Sequence, residues 1–170
     1  MTISEQELID RAEITDVLTA YCQAQDQEEW HLLDKVFVPD AVIEIAGMGY
    51  PAQSPEQMRE LLQDFSKDRI SGQHMIGNII FDIDADRAKT VCEVIYITLH
   101  PADDPKRVKR IRGNALYSDE LVRLESEWRI RKRVIAQKNV ETDETEYAPS
   151  LLKAIHTTAK TRWFSDSQGQ

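Results

Sequence analysis

GQHMIGNIIFDIDADRAKTVCEVIYITLH, residues 72–100, is the stretch that decides the fold. β-Branched and aliphatic residues are frequent in both of its halves, as is typical of β-strands. The acidic segment at 84–87 that separates the halves has the composition of a turn. The stretch therefore predicts two antiparallel strands, 74–84 and 88–100.

Two further strand-like segments follow along the chain. VKRIRGNALYSDELVRL covers residues 108–124 and EWRIRKRVIAQ covers residues 127–137. A proline-containing turn at 101–105 and a short acidic turn at 125–127 delimit them. The second half of the domain is therefore predicted to be a four-stranded antiparallel sheet.

The residues before this sheet have helical periodicity. Ser4 and Glu7 have capping-box spacing, and apolar residues then recur at helical intervals as far as Cys22. EEWHLLDKVF (28–37) predicts a short second helix, AVIEIAG (41–47) an additional strand, and SPEQMRELLQDFSK (54–67) a third helix. Helices followed by strands predict an α+β fold, with three N-terminal helices on one face of a curved, mostly antiparallel sheet.

The C-terminal residues form a separate segment in this prediction. We expect one domain over residues 1–140 and an extension over residues 141–170. VETDETEYAPS (140–150) is interpreted as an acidic loop, and PSLLKAIHTTAKTRWF (149–164) as a helix that closes over a pocket with Trp163 and Phe164. The final six residues are expected to be disordered.

Composition limits the classes of partner. The chain has 170 residues and a formal net charge of -9, which disfavours nucleic acid and anionic membranes as partners. Cys22 and Cys92 both lie in apolar segments, as reduced, buried thiols do in cytoplasmic proteins. No apolar run approaches the roughly 20 residues of a membrane span. Small molecules and other proteins remain as partners.

Asp26 and His74 are the first candidates for chemistry. Asp26 lies about 6 Å along the first helix from Cys22, at the margin of its apolar stripe, where it can face either water or the interior. His74 shares a strand face with Ile76 and Asn78, where it can be either a structural residue or a base. If the two side chains meet, the carboxylate orients the imidazole for general-base catalysis.

Several segments resemble the SnoaL-like branch of the NTF2-like superfamily, which includes scytalone dehydratase, bile-acid dehydratases and hexachlorocyclohexane dehydrochlorinase. The resemblance spans roughly residues 9–137. Its carriers are AEITDVLTAYCQAQD (12–26), LDKVFVPDAVIE (33–44), GQHMIGN (72–78), DADRAKT (84–90) and ALYSDELVRLESEWRIRKR (115–133). The resemblance implies a cone-shaped fold that encloses a pocket, a fold used by lyases, isomerases and non-catalytic binders.

The resemblance also implies roles for particular residues. In the lyase members the positions of Asp26 and His74 form the catalytic dyad, and the position of Tyr21 polarises a substrate oxygen. His100 corresponds to a second pocket histidine of scytalone dehydratase, and Asn114 lies close to the position of its substrate-binding asparagine. The position of Tyr21 in the apolar stripe is equally consistent with a core aromatic residue.

Other candidate substrate contacts come from strand faces and loops. Tyr96 and His100 share one strand face with Cys92, and either that face or the opposite one can point inward. Tyr50 and Trp30 are further aromatic pocket candidates, although Tyr50 can equally be a turn aromatic that packs on the surface. Neither metal-ligand spacing nor a phosphate-binding loop is present, so we expect no metal and no cofactor. The basic runs at 106–112 and 129–133 are interpreted as a solvated outer face paired with acids.

These residues predict a cofactor-independent lyase or isomerase of the dehydratase type. His74, oriented by Asp26, would remove a proton from carbon in a small, largely apolar cyclic or aromatic substrate. A retro-aldol carbon–carbon lyase with the same dyad is one alternative. A non-catalytic binding or scaffold protein, like the dioxygenase β subunits, is another. We also expect a homodimer or homotrimer.

Overall fold

The computed structural model describes residues 3–159 and residue 161, which form helices packed on one side of a curved sheet. The helices are α1 (Glu5–Asp26), a short 3-10 helix (Trp30–Lys35), α2 (Pro55–Ser66) and α3 (Pro149–Ala159). The strands are β1 (Phe37–Ala46), β2 (Ser71–Asp84), β3 (Arg87–Pro101), β4 (Arg107–Leu124) and β5 (Glu127–Glu146). The predicted α+β class is confirmed.

The five strands form one open sheet in the order β1-β5-β4-β3-β2. Neighbouring strands are antiparallel except for β1, which runs parallel to β5. The pairing register shifts in β2 between Gly77 and Ile80, and in β4 after Asn114 and after Glu120. Bulges of this kind bend a strand and increase its twist. They therefore help the long strands to curve around the helices.

The helices begin where the sequence predicts caps. The Ser4 hydroxyl accepts a hydrogen bond from the backbone N–H of Glu7 at 3.1 Å. Ser54 and Gln57 form a complete capping box at the start of α2. Both caps satisfy backbone donors that the first helical turn leaves without partners, which defines the entry of the chain into each helix.

The core lies between α1 and the inner face of the sheet. Ile14, Leu18 and Tyr21 of α1 are fully or almost fully buried, and they belong to the same apolar cluster as Val94 of β3 and Ile130 of β5. The spacing of these α1 residues follows one helix face. The last three residues of α1 are also buried, so the end of the helix faces the interior of the curved sheet.

The strand at the start of the sheet is longer than predicted. It begins at Phe37 instead of residue 41, so the second helix ends earlier than the sequence suggests. Pro39 is accommodated because β1 is an edge strand and its register with β5 shifts between Phe37 and Val42. Edge positions and bulges are where a sheet tolerates proline.

The prediction of an acidic loop at 140–150 is wrong for residues 140–146. These residues continue β5 and pair with the start of β4, with Arg112 opposite Glu141 and Arg110 opposite Asp143. Cross-strand pairs of opposite charge stabilise antiparallel strands, and here they match an acidic strand with a basic one. The predicted C-terminal helix is present as α3, which contacts β2. Trp163, Phe164 and the tail lie outside the described residues.

Candidate functional site

The side chains of Asp26 and His74 are in direct contact. Asp26 is the last residue of α1, and His74 is the fourth residue of β2. Asp26 Oδ1 lies 2.6 Å from His74 Nδ1, and Asp26 Oδ2 accepts the backbone N–H of His74 at 2.6 Å. Their side chains are only 5% and 10% exposed. The aspartate therefore points into the protein, with both of its oxygens engaged by one residue.

This contact decides which imidazole nitrogen is available. Because the Asp26 carboxylate only accepts hydrogen bonds, its short contact with Nδ1 favours the tautomer that carries the proton there. The other nitrogen, Nε2, is then the acceptor. A histidine held in this way can take a proton at Nε2 while the carboxylate stabilises the resulting imidazolium.

His74 borders a cavity of about 300 Å³ between α2, the end of α1 and the inner face of the sheet. That volume is at the lower end of the range for small-molecule pockets. Aliphatic and aromatic side chains form most of the wall. The lining residues are Tyr21, Gln25, Ile45, Met48, Tyr50, Met58, Leu61, Leu62, Phe65, Ser66, Arg69, His74, Tyr96, Thr98, His100, Ile111, Ala115, Tyr117, Ile135 and Gln137.

Tyr21 lines this cavity and is buried against a guanidinium group. The Arg133 Cζ atom lies 4.2 Å from the centroid of the Tyr21 ring and 4.5 Å from that of Tyr117. Burial raises the pKa of Tyr21 to about 12, and the positive charge of Arg133 opposes this shift only in part. The Tyr21 hydroxyl therefore keeps its proton at neutral pH and can donate a hydrogen bond.

Arg133 is held in this position by Asp119. Its Nε and Nη2 atoms donate to the two carboxylate oxygens of Asp119, each at 2.7 Å, and both side chains are fully buried. Burial opposes the charge of Arg133, but the adjacent carboxylate outweighs it and raises the pKa of the guanidinium. A buried ion pair consequently supports the wall of the cavity behind Tyr21.

In β3, the face that carries Tyr96 and His100 points inward. Cys92 and Val94 are buried and Tyr96 and His100 border the cavity, whereas Ile95 on the opposite face is 65% exposed. The Tyr96 ring stacks on the His74 ring with centroids 5.5 Å apart. Tyr96 is therefore positioned to hold the imidazole in its orientation.

His100 forms a second polar point on the cavity wall. Its Nε2 lies 3.0 Å from the Thr98 hydroxyl. Burial lowers the pKa of His100, and the positive charges of Arg69 and Lys109 lower it further. His100 is therefore neutral near pH 7. Within the described residues, it forms no hydrogen bond with Asp26 or His74. Tyr50 lines the cavity from the loop after β1.

Two predicted substrate contacts do not border the cavity. Asn114 pairs with the exposed Ile95, so strand alternation places it on the outer face, and its backbone carbonyl accepts from Gln137. Trp30 belongs to the 3-10 helix and packs against the core cluster. Of the strand face predicted for His74, Ile76 and Asn78, only Asn78 departs, because the bulge in β2 gives it a φ of 51° and leaves it exposed.

The sequence prediction missed Arg69, Arg133, Tyr117 and Asp119. Arg133 belongs to the basic run that was interpreted as a solvated face, and this interpretation is wrong for it, although Arg110 and Arg112 do pair with acids on the surface. Tyr117 and Asp119 had a usable signal, because strand alternation places both on the same face of β4 as Ala115 and Leu121.

In residues 3–159 and 161, no three His, Cys, Asp or Glu side chains come together in a way that could hold a metal ion. The helices within this part of the chain include none long and apolar enough to cross a membrane.

Comparison with known families identifies the class of protein. The SnoaL-like domain family matches residues 6–134, and the chain belongs to this family. Two mycobacterial relatives, the uncharacterised proteins Rv2910c of Mycobacterium tuberculosis and Mb2934c of Mycobacterium bovis, are each 31% identical over 134 residues. The alignment covers 78% of this chain and 88% of each relative.

Solved structures share the fold at lower identity. The Kfla4162 protein from Kribbella flavida has a TM-score of 0.69 and 23% identity, covering 78% of this chain and 93% of that one. A type 3 hexachlorocyclohexane dehydrochlorinase from Novosphingobium barchaimii has a TM-score of 0.66 and 19% identity, covering 84% and 96%. A candidate scytalone dehydratase from Novosphingobium aromaticivorans has a TM-score of 0.66 and 18% identity, covering 83% and 89%. The NTF2-like fold expected from the sequence is thus confirmed.

Proposed function

We propose that this protein is a cofactor-independent lyase or isomerase that removes a carbon-bound proton with an Asp26–His74 dyad. The observation that carries the proposal is the 2.6 Å contact between Asp26 Oδ1 and His74 Nδ1 beside a largely apolar cavity. A buried carboxylate and a histidine with one free nitrogen form the unit that general-base catalysis near neutral pH requires.

The proposed reaction begins at a carbon next to a carbonyl group. His74 Nε2 takes the proton, and the electron pair of the C–H bond moves towards the carbonyl oxygen. Asp26 stabilises the imidazolium, and Tyr21 donates a hydrogen bond to the oxygen that gains negative charge. In the dehydratase form of the reaction a C=C bond forms as a hydroxyl group leaves the neighbouring carbon. The imidazolium returns its proton to that group, so that water is released and His74 is neutral again.

Three further features support this mechanism. The high pKa of Tyr21, about 12, keeps its hydroxyl protonated as a donor. The aliphatic and aromatic lining suits a small cyclic or aromatic substrate. Two proteins that share the fold are described as a dehydrochlorinase and a candidate dehydratase, and both descriptions denote elimination reactions.

Proton abstraction can be tested without knowledge of the natural substrate. Small cyclic β-hydroxyketones are incubated with the protein in D₂O, and NMR follows both deuterium entry next to the carbonyl and enone formation. We expect His74→Ala and Asp26→Asn each to lower the rate by about 10²- to 10⁴-fold.

His31 supplies a matched control for this experiment. Its Nδ1 lies 3.3 Å from Glu29 Oε2, but its side chain is 68% exposed and it is not a lining residue of the cavity. His31→Ala should therefore retain the wild-type rate. A full rate in His74→Ala would contradict the mechanism, and saturable ligand binding without exchange or elimination in the wild type would instead indicate a binding protein.

We also propose that the protein acts in the cytoplasm as a homodimer or homotrimer, with a small molecule as its partner and not nucleic acid or a membrane. The net charge of -9 supports the exclusion of phosphate-rich partners. The free, buried thiols of Cys22 and Cys92 suit a reducing compartment. The outer face of the sheet supports association, because Met75 and Ile95 are cross-strand neighbours and are 62% and 65% exposed.

A further inference from the structure

Arg69 is a buried cation on the wall of the cavity. It lies between the end of α2 and the start of β2, and its side chain is only 6% exposed. Its Nη2 donates to the backbone carbonyl of Gln25. Glu28 Oε1 forms an ion pair with the same Nη2 at 3.8 Å, which is beyond hydrogen-bond distance. The hydrogen bonds within residues 3–159 and 161 therefore engage one nitrogen of this guanidinium.

The start of β2 leaves room for the guanidinium group. A Cβ atom at Gly72 would lie 3.0 Å from Arg69 Cζ and 3.1 Å from both Nε and Nη1. Any larger residue at this position would consequently displace the arginine. His74 is two residues further along the same strand face, which corresponds to about 7 Å. Gly72 thus allows the Arg69 guanidinium to lie against β2 two residues before the proposed base.

The surroundings of this cation favour a ligand that carries both an apolar body and an anionic group. Leu61, Leu62 and Phe65 of α2 and Ile111 of β4 contribute apolar surface to the same cavity. Burial lowers the pKa of Arg69 because its charge loses water, and the negative charges of Glu28 and Asp26 offset this shift only in part. A desolvated guanidinium gains more from a hydrogen-bonded anion than an exposed one does, and its planar fork matches the two oxygens of a carboxylate.

We propose that Arg69 binds a carboxylate group of the substrate through the guanidinium N–H groups that the Gln25 carbonyl does not engage, so that the substrate class is a hydrophobic carboxylic acid. The proposal rests on the proposed function in taking this cavity as the substrate site. It places the carboxylate near Gly72, two residues before His74 on the same strand face. The carbon that loses its proton to His74 therefore lies within a few bonds of the acid group.

The test measures binding and not turnover, with 2-naphthoate as the probe and the uncharged 2-naphthamide as its isostere. Isothermal titration calorimetry near neutral pH should give a preference of about 10- to 100-fold for the carboxylate in the wild type. Arg69→Gln should abolish this preference. Arg59→Gln is the matched control, because Arg59 also donates to a backbone carbonyl, that of Trp30, but is not a lining residue of the cavity.

Equal affinities for the two probes in the wild type, no saturable binding of 2-naphthoate, or an unchanged preference in Arg69→Gln would each overturn the proposal. If Arg69→Gln does not fold, the wild type still decides the question. Addition of 2-naphthoate, but not of 2-naphthamide, should shift the ¹⁵N–¹H resonances of the Arg69 guanidinium, and unshifted resonances at saturation refute the contact.

The two proposals fail separately in this design. His74→Ala should keep the preference for the carboxylate, because the histidine acts after binding. Normal proton abstraction in His74→Ala together with a preference that depends on Arg69 would refute the catalytic dyad and support the anion site. Loss of activity in His74→Ala, together with equal affinities of the wild type for the two probes, would support the catalytic dyad and refute the anion site.

Discussion

Asp119→Asn should be among the most destabilising single substitutions in this protein. The change keeps the size of the side chain but removes the charge that Arg133 contacts through two hydrogen bonds of 2.7 Å. Both side chains are fully buried, so neither water nor counterions can replace the lost partner. Leaving one member of a buried ion pair without its partner costs about 3–5 kcal/mol. For a protein of this size, that loss corresponds to a melting temperature lower by about 10 °C.

Urea denaturation near pH 7, followed by tryptophan fluorescence, measures this loss of unfolding free energy. The surface pair Arg112–Glu141 is the control, because its side chains are 46% and 60% exposed and Glu141→Gln should cost less than about 1 kcal/mol. The double variant Asp119→Leu/Arg133→Met should be more stable than Asp119→Asn, since it removes both charges together. A loss in Asp119→Asn no larger than that in Glu141→Gln would refute the reasoning.

Three further predictions follow from the cavity and the sheet. Gly113→Ala would place a Cβ against the Tyr96 hydroxyl, so a crystal structure should contain a displaced Tyr96 ring that no longer stacks on His74. Urea denaturation should give an unfolding free energy lower by about 1–3 kcal/mol because of overpacking, and a wild-type ring position would contradict this prediction. The pKa of His100 is lower in the folded protein than its ordinary value of 6.5, so the unfolded chain binds this proton first as the pH falls, and stability should decline below about pH 6.5. His100→Gln should have a smaller difference in urea midpoint between about pH 7.5 and about pH 5.5 than the wild type, and an equal difference would count against the shift. Ile95→Lys on the exposed outer face should convert the proposed oligomer to a monomer in light scattering, and a wild type that is already monomeric would refute the oligomer.

The elements of this fold were largely predictable because their signals are local. The turn between the first two long strands was predicted at 84–87, and β2 and β3 indeed end and begin at Asp84 and Arg87. Ser54 and Pro55 likewise predicted the start of α2. Capping residues, turns and hydrophobic period are all features of a few consecutive residues, so a single sequence contains them.

The burial of Arg133 was not predictable, because it depends on a change of phase within β5. Trp128 and Ile130 are buried at a spacing of two, and continued alternation would bury Lys132. Instead, Leu121 pairs with Ile130 while Glu120 pairs with Lys132, so that β5 carries one additional residue at this point. The bulge turns Arg133 inward, to Asp119. Such a shift arises from pairing between strands and has no signature in the strand's own sequence.

The position of Asp26 gives a physical reason to regard the end of α1 as a functional site. The carbonyl end of a helix carries partial negative charge and favours a cation, yet α1 ends on an aspartate and has no basic residue in its last turn. Three contacts from elsewhere offset this unfavourable placement. Two N–H groups of His74 meet the carboxylate, and Arg69 supplies the cation by donating to the carbonyl of Gln25. Asp26 thus breaks a local rule, and buried groups from two other segments compensate for it. Both of these groups, His74 and Arg69, line the cavity, and departures from local preference are expected at sites of chemistry.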